Sequence, residues 1–160
     1  MWRFVTTPAY RHVAITVPDL ESAEAYYRGL FDLEVITREA LTADGDRQLP
    51  PDKDWPDARA AGVDLYMVGL RRGDFVLALF DEASAATAQL GRARRRPLFI
   101  GLVMSAAEIA ALQSRLGAAE AWDENSGGFR DRYGIVWQPA PHTDFVGSGA
   151  SGRWLTAWRG

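Results

Sequence analysis

The sequence predicts an α+β fold built from two copies of one small unit. Residues 11–36 combine a short alternating strand, a turn, an amphipathic helix and a second strand. A fainter copy of this order begins near Phe99. Hydrophobic residues make up 48% of the 160 residues, which is enough for a packed core. Together these observations favour one domain made of two related modules.

The composition narrows the classes of site and of partner. The chain has no cysteine, which excludes disulfides and thiolate metal sites and fits a cytoplasmic location. The formal net charge of −3 predicts no general attraction to nucleic acid. Because no apolar run is long enough to span a bilayer and the N-terminus lacks a secretory pattern, we expect no membrane partner. The one basic cluster, at residues 92–96, is either a solvated linker or a site for an anionic group.

The first strand is predicted to run from about Tyr10 to Val17. Side chains alternate across a strand, so His12 and Thr16 share one face. The opposite face is uniformly apolar and β-branched and is expected to lie under the helix: Val13, Ile15 and Val17. His12 and Thr16 are therefore predicted to point away from the helix.

The first helix follows directly, with Asp19 placed to cap its N-terminus after Pro18. Glu24 and Arg28 are predicted on its outer face as an i,i+4 ion pair. Apolar residues recur at three- and four-residue steps, which defines one helical face: Leu20, Ala23, Tyr27, Leu30 and Phe31. A second strand is predicted from Leu33 to Leu41.

Residues 42–61 are predicted to form a long loop, because Gly45 and three prolines stand among many charges. Loops of this length in compact domains are often lids or binding loops. Trp55 lies in the middle of the segment and has two interpretations. Either it closes over a ligand, or it pins the loop to the protein surface.

The first module is predicted to end at residue 80 in a hairpin of two strands, 63–70 and 74–80. On the second of these strands Val76, Ala78 and Phe80 share one face. Residues 81–97 are predicted to be a linker with one helical turn. The modules would then span residues 10–80 and 98–139, with a tail at 140–160.

The second module repeats the first strand in the segment 99–104. Ser105 and Glu108 form a capping box for a helix, and short strands are predicted near residues 119–123, 128–130 and 135–138. In the tail, Trp154 and Trp158 form a small apolar face expected to dock on this chain or on a partner. His142 is interpreted as a surface histidine.

Two segments resemble a known family. HVAITVPDLESAEAYYRGLFDLEV is similar to the opening βαβ of the vicinal oxygen chelate superfamily, and FRDRYGIVWQ is similar to its closing strand. This superfamily includes glyoxalase I, bleomycin-resistance proteins and extradiol dioxygenases. The resemblance covers about Tyr10 to Pro139. It implies two βαβββ modules that form paired curved sheets around a cleft, and it implies a homodimer.

Enzymes of that superfamily hold one divalent metal with residues from the first and last strand of each module. Carried over by position, the resemblance places the four ligands at His12, Ala78, Phe99 and Gln138. Alanine and phenylalanine have no donor atom, so no metal cofactor is expected, although a displaced divalent metal stays open. His12 is thus either a hydrogen-bonded pocket histidine or a ligand in a shifted site. A shifted site would need another carboxylate: Glu34, Asp64, Asp74 or Asp81.

Strand alternation independently predicts a largely apolar cleft lining: His12, Ala14, Thr16, Val76, Ala78, Phe80, Phe99, Gly101, Val103, Val136 and Gln138. The first hypothesis is a metal-free protein that binds an apolar or aromatic small molecule, oriented by His12, Thr16 and Gln138. The second is an enzyme of the same superfamily, a lyase, isomerase or dioxygenase, which uses either a displaced metal or His12 as general base. The third is a structural or regulatory module whose cleft is filled.

Overall fold

A computed structural model describes residues 12–43, 45–89, 99–124 and 127–141. The chain divides into two compact units, residues 1–94 and 95–160. The first unit contains β1 (Val13–Val17), α1 (Leu20–Phe31), β2 (Glu34–Thr42), β3 (Gly45–Gln48), α2 (Trp55–Ala60), β4 (Leu65–Arg72), β5 (Phe75–Asp81) and α3 (Ala85–Gln89). The second contains β6 (Ile100–Val103), α4 (Ala106–Arg115), β7 (Phe129–Arg130) and β8 (Val136–Ala140).

Each unit has its own sheet, and the first and last strands pair in the same way in both sheets. The first sheet has strand order β1-β5-β4-β2-β3, and the second has β6-β8-β7. In both, the first strand of the unit runs parallel to the last, β1 with β5 and β6 with β8. The predicted α+β class with a repeated unit is therefore confirmed.

Helix α1 forms as its local sequence dictates. The Asp19 carboxylate accepts a hydrogen bond from the Ser22 backbone N–H at 2.9 Å, which also lowers the pKa of Asp19. The predicted apolar face is buried throughout: Leu20, Ala23, Tyr27, Leu30 and Phe31. The prediction for Glu24 was wrong, since this residue is 3% exposed rather than on the outer face.

The first sheet packs one face against α1. The Phe75 and Phe31 rings meet edge to face with centroids 6.3 Å apart, and Leu77 and Leu79 are fully buried on the same side of β5. Arg38 and its partner Val68 lie on this side too, because Arg38 reaches Glu24 of α1. The opposite face is called the open face, and its residues include Ala14, Thr16, Thr37, Glu39, Met67, Gly69, Arg71, Val76, Ala78 and Phe80.

The structure corrects the prediction that residues 42–61 form one long loop. Strand β3 pairs antiparallel with β2, and α2 follows after a short connection. Asp54 caps α2 in a capping box with Asp57, and Pro56 stands in the first turn, where its missing N–H costs nothing. Pro56 therefore lies at the start of a helix rather than in a loop.

The second unit follows its prediction except near residue 119. Ser105 and Glu108 form the predicted capping box of α4. The strand predicted at residues 119–123 was wrong: Ala118–Glu120 is a 3₁₀ turn, and only Asp123 makes an isolated bridge, with Gly128. The buried Asp131 carboxylate accepts hydrogen bonds from the backbone N–H groups of Tyr133 and Ile135 and from the Trp137 indole, which orders the turn into β8.

Several predicted features lie outside the described residues: the basic cluster at 92–96, His142, Trp154 and Trp158. Within the described ranges, no helix has the length and hydropathy needed to cross a membrane.

Candidate functional site

Part of the open face lies where β1 runs beside β5. Ala14 stands opposite Ala78 and Thr16 opposite Phe80, and the two β1 residues are exposed. Phe80 is half-buried and is the register partner of Thr16 on the neighbouring strand. Ala14, Thr16 and Phe80 thus form a small patch with one hydroxyl group, and Ala78 lies buried on the same side of the sheet, 6% exposed.

His12 directly precedes β1 and is exposed. It stands two residues before Ala14, so the strand periodicity continues the open face toward it. Position 12 is therefore available to a molecule lying on the patch. The register places Thr16, Ala78 and Phe80 on one side of the first sheet, and the place of His12 on that side stays a prediction.

The second unit repeats this arrangement by register. Gly101 pairs with Gln138 as Ala14 pairs with Ala78, and Phe99 precedes Gly101 by two residues as His12 precedes Ala14. The four positions that the resemblance names as metal ligands thus form two equivalent pairs, His12 with Ala78 and Phe99 with Gln138. Phe99 is 39% exposed, an unusual state for a phenylalanine, and Gln138 is half-buried.

The donor set at these positions does not fit a divalent metal. The first pair is an imidazole and a methyl group, and the second is a phenyl ring and an amide. Within the described ranges, no three histidine or carboxylate side chains come together as a metal site would require. Two of the carboxylates considered for a displaced site have identified neighbours. Asp81 accepts a hydrogen bond from the Ala83 backbone N–H at 2.9 Å, and Glu34 of β2 stands opposite Arg71 of β4 in the strand register.

A polar cluster that the sequence did not reveal lies on the same face. The register between β2 and β4 shifts at Glu39–Ala40, so Tyr66 is an extra residue in β4. The shift turns the Tyr66 ring toward Phe80, with centroids 6.1 Å apart. Burial raises the pKa of Tyr66 to about 12, with further contributions from a hydrogen bond with Asp46 and from the charges of Asp46 and Glu39.

Glu39 completes this cluster from β2, since its carboxylate accepts the Thr37 hydroxyl at 3.3 Å. Asp46 comes from β3, opposite Leu41. Sequence reasoning missed the cluster because Asp46 fell in the supposed loop and because a bulge depends on pairing with a distant strand. The alternating residues Thr37 and Glu39 were the only local signal.

Trp55 lies at the start of α2, away from the residues just described. Its indole N–H donates to the Glu24 carboxylate at 2.9 Å, and its ring packs on a cluster of Ala40, Ala58 and Leu65. This is the contact expected if Trp55 pins its segment to the first unit. Its role as a ligand contact stays a prediction.

A groove of about 330 Å³ borders the other edge of the first sheet, where β2 meets the chain after β3. Ile36, Thr37, Gln48 and Leu49 line it together with two prolines. Ile36 is 44% exposed because a second bulge, between Val35 and Thr37, leaves it unpaired. The groove adds room for a small molecule beside Thr37.

Comparisons with known proteins agree on one fold. The sequence model of the Glyoxalase/Bleomycin resistance protein/Dioxygenase superfamily matches residues 9–138. No curated protein matches the sequence.

Solved structures show the same architecture at low sequence identity. The fosfomycin resistance protein FosX of Listeria monocytogenes is 13% identical, with 86% of this chain and 94% of that chain covered and a TM-score of 0.55. One structure of that protein, an engineered mutant, contains Mn(II) and 1S,2S-dihydroxypropylphosphonic acid. FosX of Mesorhizobium loti is 17% identical over 86% of this chain and 94% of that chain, with a TM-score of 0.51.

A glyoxylase/bleomycin resistance protein/dioxygenase domain from Frankia sp. EAN1pec is likewise 17% identical. The match covers 84% of this chain and 97% of that domain, with a TM-score of 0.51. At such identities the likeness is one of fold, and activity has to be argued from the site.

Proposed function

The chain belongs to the Glyoxalase/Bleomycin resistance protein/Dioxygenase superfamily, and from this premise we propose that it binds an apolar or aromatic small molecule without a complete metal site. The observation that carries the proposal is the pair Ala14–Ala78 on the open face. A methyl group stands where the resemblance expects a carboxylate, beside exposed strand residues and a phenylalanine ring. A ligand that covers such a surface binds favourably because apolar area is removed from water, whereas a metal centre binds through donor atoms.

The roles of the individual residues follow from their chemistry. Phe80 offers a ring face for stacking, and Thr16 and His12 offer hydrogen bonds that orient a ligand. The proposal also assigns ligand contacts to Phe99, Gln138 and Trp55. Phe99 supplies a second ring, Gln138 an amide and Trp55 an indole.

Titration with a neutral aromatic probe tests the proposal. We expect tryptophol to shift the backbone amide NMR signals of Ala14, Thr16, Ala78 and Phe80 in a saturable way. Replacing Phe80 by leucine removes stacking worth about 1 kcal/mol, so the affinity should fall about fivefold. Phe75→Leu is the matched control, because Phe75 lies on the other face of the same strand against α1.

The control variant should bind tryptophol as the wild-type protein does. If millimolar tryptophol leaves these amide signals in place, the open face is not a binding surface and the proposal fails.

A second candidate function is an enzyme of the superfamily, a lyase, isomerase or dioxygenase. The observation in its favour is His12, an exposed imidazole directly before β1, because an imidazole can act as a general base. Because the donor set does not fit a metal, this candidate relies on His12 as general base. Turnover of a bound ligand that is lost in His12→Gln, with binding retained, would favour the enzyme over the carrier.

We also propose a homodimer, as the resemblance implies, with a small molecule as the other partner. Sedimentation equilibrium of the full chain tests the dimer, and a single species at the mass of one chain would refute it.

A further inference from the structure

Phe80 is the ring that the proposed function uses for stacking, and its neighbours differ on its two sides. Strand β5, which carries Phe80, lies between β1 and β4. On the β1 side the register partner of Phe80 is Thr16, which is exposed. On the β4 side the register partner is Met67, which is half-buried, and the adjacent Tyr66 is buried. Phe80 therefore has larger and less accessible neighbours toward β4 than toward β1.

The Tyr66 ring packs beside the Phe80 ring. The two centroids are 6.1 Å apart and the ring planes are tilted by 51°, which lies within the range of about 4.5–7 Å for interacting aromatic pairs. Tyr66 is 9% exposed, whereas Phe80 is half-buried. A ligand on the open face therefore reaches Phe80 more readily than Tyr66, so an effect of Tyr66 on binding has to pass through Phe80.

Strand pairing fixes the main chain on both sides of Tyr66. Leu65 pairs with Ala40 and Met67 pairs with Glu39, so Tyr66 is the extra residue of the bulge between them. A bulge re-aims the side chain that it carries, and here the ring meets Phe80 on the next strand. Tyr66 is thus a fixed support for a half-buried phenylalanine, a side chain that would otherwise exchange between rotamers.

We propose that Tyr66 is a positioning residue of the ligand site. It holds the Phe80 ring in one rotamer and leaves the β1 side of that ring free, where a ligand ring stacks over Thr16 and Ala14. This inference rests on the proposed function and specifies how its site is organised. A side chain that is already fixed in its binding rotamer loses no further freedom when the ligand arrives, so Tyr66 raises the affinity without touching the ligand.

The rotamer of Phe80 in the ligand-free protein is the first test. Three-bond NMR couplings about χ1 should report one rotamer of Phe80 in the wild-type chain and in Tyr66→Phe, which keeps the ring. Tyr66→Leu removes the ring, so the Phe80 couplings should become averaged. Phe75→Leu is the control, because it removes a ring contact on the other face of the same strand, and it should leave the Phe80 couplings unchanged. Averaged couplings in the wild-type chain, or one rotamer in Tyr66→Leu, would overturn the assignment.

A double-mutant cycle with tryptophol tests the same role in binding. Tyr66→Leu should weaken tryptophol binding about threefold, and Tyr66→Phe should leave the affinity within about twofold of wild type. In the Phe80→Leu background, Tyr66→Leu should have no further effect, because the ring that it supports is gone. A merely structural role would add its loss to that of Phe80→Leu, and full additivity would contradict the proposal.

Nuclear Overhauser effects from bound tryptophol locate the free side of the ring. We expect them to the Thr16 methyl group and the Phe80 ring, and none to the Tyr66 ring. Effects to the Tyr66 ring would make Tyr66 a ligand contact and refute its role as a positioning residue. These effects and the wild-type couplings need no variant, so they decide the matter even where Tyr66→Leu does not fold.

The experiments separate this inference from the proposed function. If tryptophol does not bind, the proposed function fails, and the Phe80 couplings of the ligand-free chain still decide whether Tyr66 holds the ring. If tryptophol binds and the cycle is additive, the proposed function stands and the positioning role of Tyr66 is wrong.

Discussion

Glu24 is a charged side chain that the first unit buries almost completely. Its carboxylate accepts two hydrogen bonds from the Arg38 guanidinium, at 2.6 and 2.7 Å, and one from the Trp55 indole at 2.9 Å. The hydrogen bond to Glu24 raises the pKa of Arg38. With Arg28 also 3.4 Å away, one carboxylate ties α1 to β2 and α2. Each of its lone pairs is used, which offsets the cost of burying the charge.

Replacing Glu24 by glutamine should destabilise the protein by about 3 kcal/mol, because it leaves the Arg38 guanidinium buried without a counter-charge. Urea unfolding followed by circular dichroism measures the change. Glu21→Gln is the matched control on the same helix. Glu21 pairs with Arg59, but both side chains are about half exposed, so the loss there should stay below about 1 kcal/mol. Equal losses for the two variants would contradict the assigned role of burial.

At the scale of elements, prediction succeeded where structure depends on neighbours in sequence. Helix α1 has its cap and apolar face within 13 residues, Asp19 to Phe31, and both were read correctly. Helix α4 was found through its capping box, Ser105 with Glu108. Helix α2 carries the same type of signal in Asp54 and Asp57, but the prolines and charges around it were taken for a loop.

Prediction failed where structure depends on distant pairing. Glu24 looked exposed on a helical wheel, since its partners lie 14 and 31 residues further along the chain. The bulges that unpair Ile36 and turn Tyr66 depend on the register of β2 against β4, which periodicity does not specify. The shared face of Thr16 and Phe80 was therefore predictable from alternation, and the cluster of Tyr66, Glu39 and Asp46 was not.

Gly69 of β4 faces the bulge at Ile36, where little space is left for a side chain. A Cβ added at position 69 would lie 2.9 Å from the Thr37 methyl group and 3.2 Å from an Ile36 side-chain carbon. Both neighbours are β-branched and stiff, so Gly69→Ala should cost about 1–3 kcal/mol through overpacking. Thermal unfolding measures the loss.

Gly101→Ala is the control for this prediction, because Gly101 is also in a strand and nothing lies within 4 Å of an added Cβ. This variant should be neutral or more stable by about 0.5 kcal/mol, since alanine restricts the unfolded chain. Adding Thr37→Ser to Gly69→Ala removes the clashing methyl group and should recover part of the loss. No recovery in the double variant would mean that the clash with Thr37 is not the cause.

At the scale of the whole molecule, the repeat explains how the fold can form without the metal-ligand side chains that the resemblance expects. Each unit places its first strand beside its last, so each offers the same two positions on its sheet. The fold needs only the pairing of these strands, which main-chain hydrogen bonds supply whatever the side chains are. The side chains at positions 12, 78, 99 and 138 are therefore free to differ from those of a metalloenzyme while the architecture is kept.

The metal content of the purified protein tests whether the fold is kept without a bound metal. We expect the purified full chain, after dialysis, to hold well under one equivalent of Mn, Fe, Co, Ni or Zn by mass spectrometry, because an imidazole and an amide are too few donors to replace the hydration shell of the ion. Added Mn²⁺ should not raise the unfolding temperature, since a ligand that does not bind the folded state does not stabilise it. Ala78→Glu serves as the positive control, as it adds a carboxylate to the open face and should strengthen Zn²⁺ binding. About one tightly held ion per wild-type chain, lost in His12→Ala, would overturn the assignment of the open face to a metal-free ligand.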